Sequence, residues 1–240
     1  MKLSILIPVY NEENTIEKLL DKVWGVKLNA GISKEIIIID DGSSDKTYLV
    51  LSKFHPPASR IKFKILKHKK NQGKGAAIKT GLKYATGDLI IIQDADLEYN
   101  PQDYLKLLKP AVKGESKVVY GTRLVTYPLR FWGKKRTIMP VHLIANYFLT
   151  ALTNILYGSN LTDMETCYKL ISRDVLKDIE IESNRFDFEP EITAKILKKG
   201  ISIMEVPIKV HPRTYKEGKK IGWRDGIIAV WTLIKYKFMH

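Results

Sequence analysis

The first 120 residues alternate short apolar runs with amphipathic helical patterns, and this rhythm constrains the fold more than any other feature of the chain. The runs Leu3–Val9, Glu35–Asp40, Ile61–Lys67, Leu89–Asp94 and Lys117–Gly121 have the length and the branched, apolar composition of strands. Helical patterns occupy about 14–24, 44–54, 74–85 and 101–113 between them. Strands separated by helices build βαβ units and a largely parallel sheet, which binds ligands beyond the carboxyl ends of its strands. The second half is less regular. It holds an uncharged amphipathic helix over Val141–Tyr157, a strand-like Tyr168–Ser172, a helix at about 187–199 and a strand at Ser202–Val206; the loop His211–Gly222 leads into a last helix. With no internal repeat and no long linker, the 240 residues read as one domain.

Charge is unevenly spread. Residues 109–136 and 198–240 each carry a net charge of +7, so these two stretches match the whole excess of +14. Either the lysines form a diffuse solvated surface, or one basic face serves an anionic partner: a membrane surface, nucleic acid or a phosphorylated substrate. The single cysteine, Cys167, excludes an intrachain disulfide and fits a reducing compartment. No basic-then-apolar leader precedes Leu3, and Thr137–Thr162 is too polar to span a bilayer. In the last helix Trp223, Ile227, Val230, Trp231, Ile234 and Phe238 recur at helical spacing among Arg224, Lys235 and Lys237. That pattern suits either a membrane-interface helix or a terminal helix docked on the core.

Acidic and turn-forming residues collect at three strand ends: Pro8-Val9-Tyr10-Asn11-Glu12, Asp40-Asp41-Gly42-Ser43-Ser44-Asp45 and Gln93-Asp94-Ala95-Asp96. Carboxylates gathered at one sheet edge repel unless a cation or hydrogen-bond donors offset them. On extended backbone the side chains of Asp94 and Asp96 share a face, where they can hold Mg2+ or Mn2+, with Glu98 a candidate third ligand. Asp40 and Asp41 are placed for the base and ribose of a nucleotide. Asn71-Gln72-Gly73-Lys74-Gly75-Ala76-Ala77 opens a helix with glycines that suit close approach to a phosphate, with Lys74 as its cation. It lacks the spacing and the Ser or Thr of a Walker loop, and the chain has no Gly-x-Gly-x-x-Gly; both absences count against kinases, P-loop NTPases and dehydrogenases.

These motifs, with Asp94-Ala95-Asp96-Leu97-Glu98, resemble the family 2 glycosyltransferases of GT-A fold. Gly121-Thr122-Arg123, Thr162-Asp163-Met164-Glu165-Thr166-Cys167-Tyr168-Lys169, Phe188-Glu189-Pro190-Glu191 and Glu205-Val206-Pro207-Ile208 resemble the dolichyl- or polyprenyl-phosphate sugar synthases within it. The likeness spans about residues 3–237. It implies an α/β, Rossmann-like, mostly parallel central sheet flanked by helices, with the C-terminal amphipathic helix appended. Residues 1–120 would form the nucleotide-sugar half and 121–240 the acceptor half. By position, Pro8, Tyr10, Glu12 and Asp41 would border the nucleotide and Asp94 and Asp96 would hold the metal; Arg123, Arg213 and Lys219 would contact phosphates of donor or acceptor. A Gln commonly stands in the mannose synthases where this chain has Glu98.

The implied reaction is inverting transfer of mannose or glucose from GDP-mannose or UDP-glucose to a polyprenyl phosphate. The implied location is cytoplasmic and peripheral, on the anionic cytoplasmic face of a membrane. Known members often add C-terminal transmembrane helices, to which a separate membrane-anchor subunit is the alternative. An acceptor phosphate is already ionised at neutral pH and needs little or no general base. A hydroxyl acceptor would need one, and Asp163 and Glu165 are the candidates; a turn capping box ahead of a strand is their other reading. A protein that instead uses its charge to bind nucleic acid would interleave aromatics with Lys and Arg on an exposed sheet, and no such motif is present.

Overall fold

Ile36, Ile37, Ile38 and Ile39 are all buried, as are Leu3, Ile5, Leu6 and Ile7. Continuous apolar runs of this kind belong to strands covered on both faces, the condition of a parallel sheet between helical layers. The computed structural model describes residues 1–57, 61–127, 137–214, 218, 220 and 222–239. Its strands are β1 (Lys2–Val9), β2 (Ser33–Asp40), β3 (Lys62–Lys67), β4 (Leu89–Ile92), β5 (Val118–Thr122), β6 (Lys169–Ser172) and β7 (Met204–Pro207). They form one sheet in the order β3-β2-β1-β4-β6-β5-β7.

The helices are α1 (Ile16–Gly25), α2 (Thr47–Lys53), α3 (Lys74–Leu82), α4 (Tyr104–Val112), α5 (Pro140–Tyr157), α6 (Arg173–Lys177), α7 (Phe188–Lys198) and α8 (Trp223–Phe238). A single 3-10 turn, Pro101–Asp103, leads into α4. The alternation expected of the first half is present, with element ends shifted by a few residues. The short α6 follows β6 directly and breaks no pattern that the sequence displays.

Sheet topology brings the motifs to one edge. β2, β1 and β4 are parallel neighbours, with Val9 opposite Asp40 and Leu6 opposite Ile92. The segments that follow these strands therefore emerge side by side. β6 runs antiparallel between β4 and β5, pairing Ile91 with Leu170 and Tyr120 with Lys169. Because β6 is reversed, the residues before it, 162–168, arrive at the same edge as those after β4 and β5. β7 is parallel to β5, so the chain after Pro207 also leaves from that edge.

Beside the main core, a smaller cluster of Leu149, Leu161, Met164, Ala194, Ala229, Leu233 and Tyr236 joins α5, α7 and α8. The last helix thus docks on the protein through Ala229, Thr232, Leu233 and Tyr236. Its outer face is nonetheless apolar: Trp223 is 73% and Trp231 61% exposed. The inner face meets the docked reading of this helix. Among the described residues, no helix is long and apolar enough to cross a membrane.

Candidate active site

At the end of β2 the two aspartates divide their tasks. Asp41 has no free oxygen: Oδ1 meets His68 Nδ1 at 2.6 Å and the Gln72 N–H at 3.0 Å, while Oδ2 accepts from Gly73 N–H at 2.7 Å and Asn71 Nδ2 at 2.8 Å. Asp41 therefore shapes the 71–73 loop before it can serve a nucleotide. Asp40 is fully buried, and its Oδ2 has no hydrogen-bond partner. After β1, Asn11 adopts φ 51°, a left-handed conformation that Asn tolerates, and its Oδ1 accepts from Ser44 N–H at 2.8 Å. This turn delivers Tyr10 and Glu12 to the edge.

The glycine-rich loop corrects the expectation placed on it. Gly73 has φ 102°, and a Cβ there would lie 2.3 Å from the Asn184 carbonyl oxygen; one on Gly75 would lie 2.5 Å from that of Ser183. The close approach is made by the chain's own 183–185 segment. The first N–H groups of α3 are taken as well, Gly75 N–H by Arg185 O and Ala76 N–H by Asn184 O. Lys74 does not face an open phosphate position either. Its ammonium lies 2.7 Å from Asp94 Oδ1 and 2.6 Å from Glu189 Oε1.

Asp94 is delivered by Gln93, a fully buried amide whose Oε1 accepts from Tyr104 OH at 2.6 Å and Tyr168 OH at 2.7 Å. Sequence reasoning missed this support; a lone polar residue closing the apolar run of β4 was its one signal. Leu97 has φ 63° and turns the chain sharply between Asp96 and Glu98. Burial, together with the Asp94 and Glu98 carboxylates, pushes the Asp96 carboxyl up to about 7. That is the signature of an acidic pair one positive charge short, and two carboxylates are what Mg2+ or Mn2+ uses when a diphosphate supplies further oxygens. The donor set fits a hard divalent cation.

Glu98 departs from its expected role as third ligand. Its Oε1 accepts from the Arg213 N–H at 3.1 Å, and its carbonyl oxygen from His211 N–H at 2.9 Å. Among the described residues, no three acidic, His or Cys side chains converge as a ready metal cage.

Two cations from the chain after β7 reach this edge. The Arg213 guanidinium donates to both Glu12 oxygens at 2.9 and 3.1 Å and lies 3.5 Å from Asp96 Oδ2. Lys220, absent from the sequence-derived candidates, sits 2.9 Å from Glu12 Oε1 and donates to the Tyr10 carbonyl oxygen. Burial works against an ionised Glu12, but Arg213, Thr15 and Lys220 hold its carboxyl below the ordinary range. Lys219 lies outside the described residues. Pro8 lies within β1, opposite Ile39.

On the other side of β4 stands Arg123, just past β5. Asp163 clamps it, Oδ2 accepting from the Arg123 N–H at 2.8 Å and from Nε at 2.7 Å, and Oδ1 from Nη2 at 2.7 Å. Asp163 is fully buried and committed to this pair, an arrangement unlike both a free base and a capping box. Glu205 takes the capping work, accepting from the N–H groups of Thr162 at 2.7 Å and Asp163 at 2.9 Å. Glu165 Oε1 is buried without a hydrogen-bond partner, and burial plus the nearby Glu189 push its carboxyl up to about 7. Glu191, in the first turn of α7, accepts from the N–H groups of Glu182 and Ser183 and pairs with Lys195.

Next to Arg123 opens a groove of about 380 Å3 walled by Leu124, Val125, Tyr147, Ala151 and Leu161, with Thr150, Asn154 and Thr162 as its polar lining. It is lined by α5, whose outward residues Val141, Phe148 and Ile155 are exposed.

Comparison with known proteins adds to this geometry. The description glycosyl transferase family 2 matches residues 4–180. UDP-N-acetylglucosamine–dolichyl-phosphate N-acetylglucosaminyltransferase of Methanococcus voltae is 29% identical over 248 positions, covering 97% of this chain and 95% of its own length. Dolichol-phosphate mannosyltransferase of Pyrococcus furiosus is 28% identical over 225 positions, covering 92% of this chain, which spans 60% of that enzyme. Among solved structures, glucosyl-3-phosphoglycerate synthase of Mycobacterium tuberculosis with Mn2+, uridine diphosphate and phosphoglyceric acid superposes with a TM-score of 0.72 at 21% identity. The match covers 100% of this chain and 79% of that one, and the likeness is one of fold.

Proposed function

The chain belongs to glycosyl transferase family 2 and has the GT-A fold, and from that premise we propose that it transfers a hexose from a nucleoside-diphosphate sugar to a dolichyl or polyprenyl phosphate. The observation that carries the acceptor is the groove beside Arg123. Its walls are largely apolar and suit a prenyl chain, and Leu124 and Thr162 in its lining adjoin the Arg123–Asp163 pair that would meet the phosphate. Relatives named for dolichyl-phosphate transfer support the same acceptor class.

Asp94 and Asp96 would hold Mg2+ or Mn2+, which when bound neutralises charge developing on the leaving diphosphate. Arg213 and Lys220 would exchange Glu12 for the donor's diphosphate oxygens. Arg123 would draw in the acceptor, an anion that other anions would otherwise repel. An oxygen of the lipid phosphate attacks the anomeric carbon as the bond to the nucleoside diphosphate breaks, and the diphosphate leaves with the electron pair. Attack from the face opposite the diphosphate inverts an α-linked donor to a β-linked product. The nucleophile arrives ionised, so Asp163 is free to remain committed to Arg123. The exposed apolar faces of α5 and α8, with Lys and Arg around them, would rest on the cytoplasmic face of a membrane.

The test is a screen of donors against polyprenyl phosphate in detergent, with Mg2+ or Mn2+, reading labelled sugar in the organic phase. GDP-mannose, UDP-glucose and UDP-N-acetylglucosamine are the first donors. Label from one donor supports the reading and identifies the sugar. No label, with metal-dependent nucleotide binding intact, overturns the lipid acceptor. One observation favours a second reading, transfer to a hydroxyl: Glu165, with its unpartnered oxygen and raised pKa, has the properties of a general base.

A further inference from the structure

Lys74 links the two halves of the site through charge. Its ammonium bridges Asp94 Oδ1 at 2.7 Å and Glu189 Oε1 at 2.6 Å, with little exposure on any of the three side chains. Asp94 follows β4, whereas Glu189 stands in the first turn of α7, on the acceptor side of the chain. Two carboxylates share one cation, so the trio keeps a net negative charge and Asp94 is not fully neutralised. If Lys74 paired with Asp94 alone, that pair would be neutral, and a divalent cation approaching Asp94 would meet the ammonium with no counterweight.

The backbone beneath Lys74 is tightly packed. Gly73 and Gly75 pack against 183–185 so tightly that added Cβ atoms would clash, and the α3 N–H groups are bonded to the same segment. The ammonium itself is held by its two ion pairs, and the division of its charge depends on Glu189. Glu189 is buried in the first turn of α7.

We propose that Glu189 is a positioning residue for the donor's divalent cation, sharing the Lys74 ammonium with Asp94 so that part of the Asp94 negative charge stays uncompensated toward the metal. This rests on the reading that Asp94 and Asp96 hold that cation with a nucleoside diphosphate.

The experiment is Mn2+ binding to the full chain in the presence of UDP or GDP, followed through the electron paramagnetic resonance signal of free Mn2+, with thermal melting in parallel. Glu189→Gln keeps the size and an acceptor oxygen for Lys74 but removes the charge. The Mn2+ Kd is expected to rise about tenfold, equivalent to ~1.4 kcal/mol, while the melting temperature stays close to that of the parent chain. Glu189→Asp should recover most of the affinity. Lys74→Gln is the reciprocal arm: with the competing ammonium gone, Mn2+ should bind more tightly. Unchanged Mn2+ affinity in Glu189→Gln, or weaker binding in Lys74→Gln, overturns the proposal. Asp94→Asn separates it from its premise. If Asp94→Asn binds Mn2+ as the parent chain does, the metal assignment itself fails and the role of Glu189 falls with it. If Asp94→Asn loses Mn2+ while Glu189→Gln does not, the role of Glu189 alone fails.

Discussion

Removing the Asp163 side chain should cost the protein far more than a catalytic carboxylate would. Asp163 is fully buried, and all three of its short contacts, at 2.7–2.8 Å, are to Arg123. The Arg123 side chain is only 16% exposed. Asp163→Ala would leave a largely desolvated guanidinium without its anion, a change that typically costs ~3–5 kcal/mol. Burial alone would lower the Arg123 pKa, but Asp163 above all, with Tyr99 and Glu165 adding to it, raises it well above the ordinary value. Glu165 therefore takes up part of the loss, which places the expectation at the lower end, ~3 kcal/mol. For a chain of this length that corresponds to a fall of roughly 6–12 °C in melting temperature, measurable by calorimetry or circular dichroism at pH 7.5. Replacing both partners, Arg123→Met with Asp163→Leu, removes the mismatch and should restore stability to within about 2 kcal/mol of the parent chain. The double variant should still make no lipid-linked sugar, because the cation for the acceptor phosphate is gone. An Asp163→Ala chain that melts within about 2 °C of the parent would refute the clamp. A double variant with full turnover would refute the role given to Arg123.

Further outcomes follow from other parts of the site. Asp96→Asn should abolish turnover with little change in melting temperature, and chelation should stop the parent enzyme until Mg2+ or Mn2+ is restored; full activity in either experiment would remove the metal from the mechanism. The raised pKa of Glu165, about 7 against an unfolded value near 4.5, means the folded state holds this proton more tightly. Its favourable contribution is complete below pH 4.5 and is lost as pH rises through about 7, so Glu165→Gln should melt above the parent at pH 8 and with it at pH 4. Equal melting at pH 8 would show that Glu165 is not perturbed as described. Deleting α8 would strip Leu233 and Tyr236 from the core, so Ile227→Ser with Trp231→Ser is the cleaner probe of its outer face. Cosedimentation with anionic vesicles should fall while the melting temperature holds, and unchanged cosedimentation would take the membrane role from this helix.

Periodicity was enough for the first half of the fold, because each parallel strand there is an unbroken apolar run between amphipathic helices. It was also enough to bring the acids after β1, β2 and β4 to one place, since βαβ units leave little choice of edge. It could not find the reversal of β6. Lys169–Ser172 is only four residues long, and nothing in Lys-Leu-Ile-Ser marks its direction. The Gly-Lys-Gly segment misled for a physical reason: glycine permits close approach without specifying what approaches, and here the visitor is the backbone of 183–185. Asp41 was legible as an acid at a strand end, Lys74 as a cation opening a helix and Asp163 as a candidate base, but their partners lie far along the chain. Only tertiary structure shows that Lys74 is shared between Asp94 and Glu189, or that Asp163 already belongs to Arg123.

The reversed strand has a consequence for anyone hoping to dissect or recombine this enzyme. β5 belongs in sequence to the front of the chain, yet its two sheet neighbours, β6 and β7, come from the back. A fragment ending at Thr122 would carry β5 with neither neighbour and leave β4, Leu-Ile-Ile-Ile, as a bare apolar edge. Edges of that kind recruit other chains. The front and back halves of the chain are therefore interlaced by backbone hydrogen bonds, and exchange of the back half between relatives would have to replace β5, β6 and β7 together.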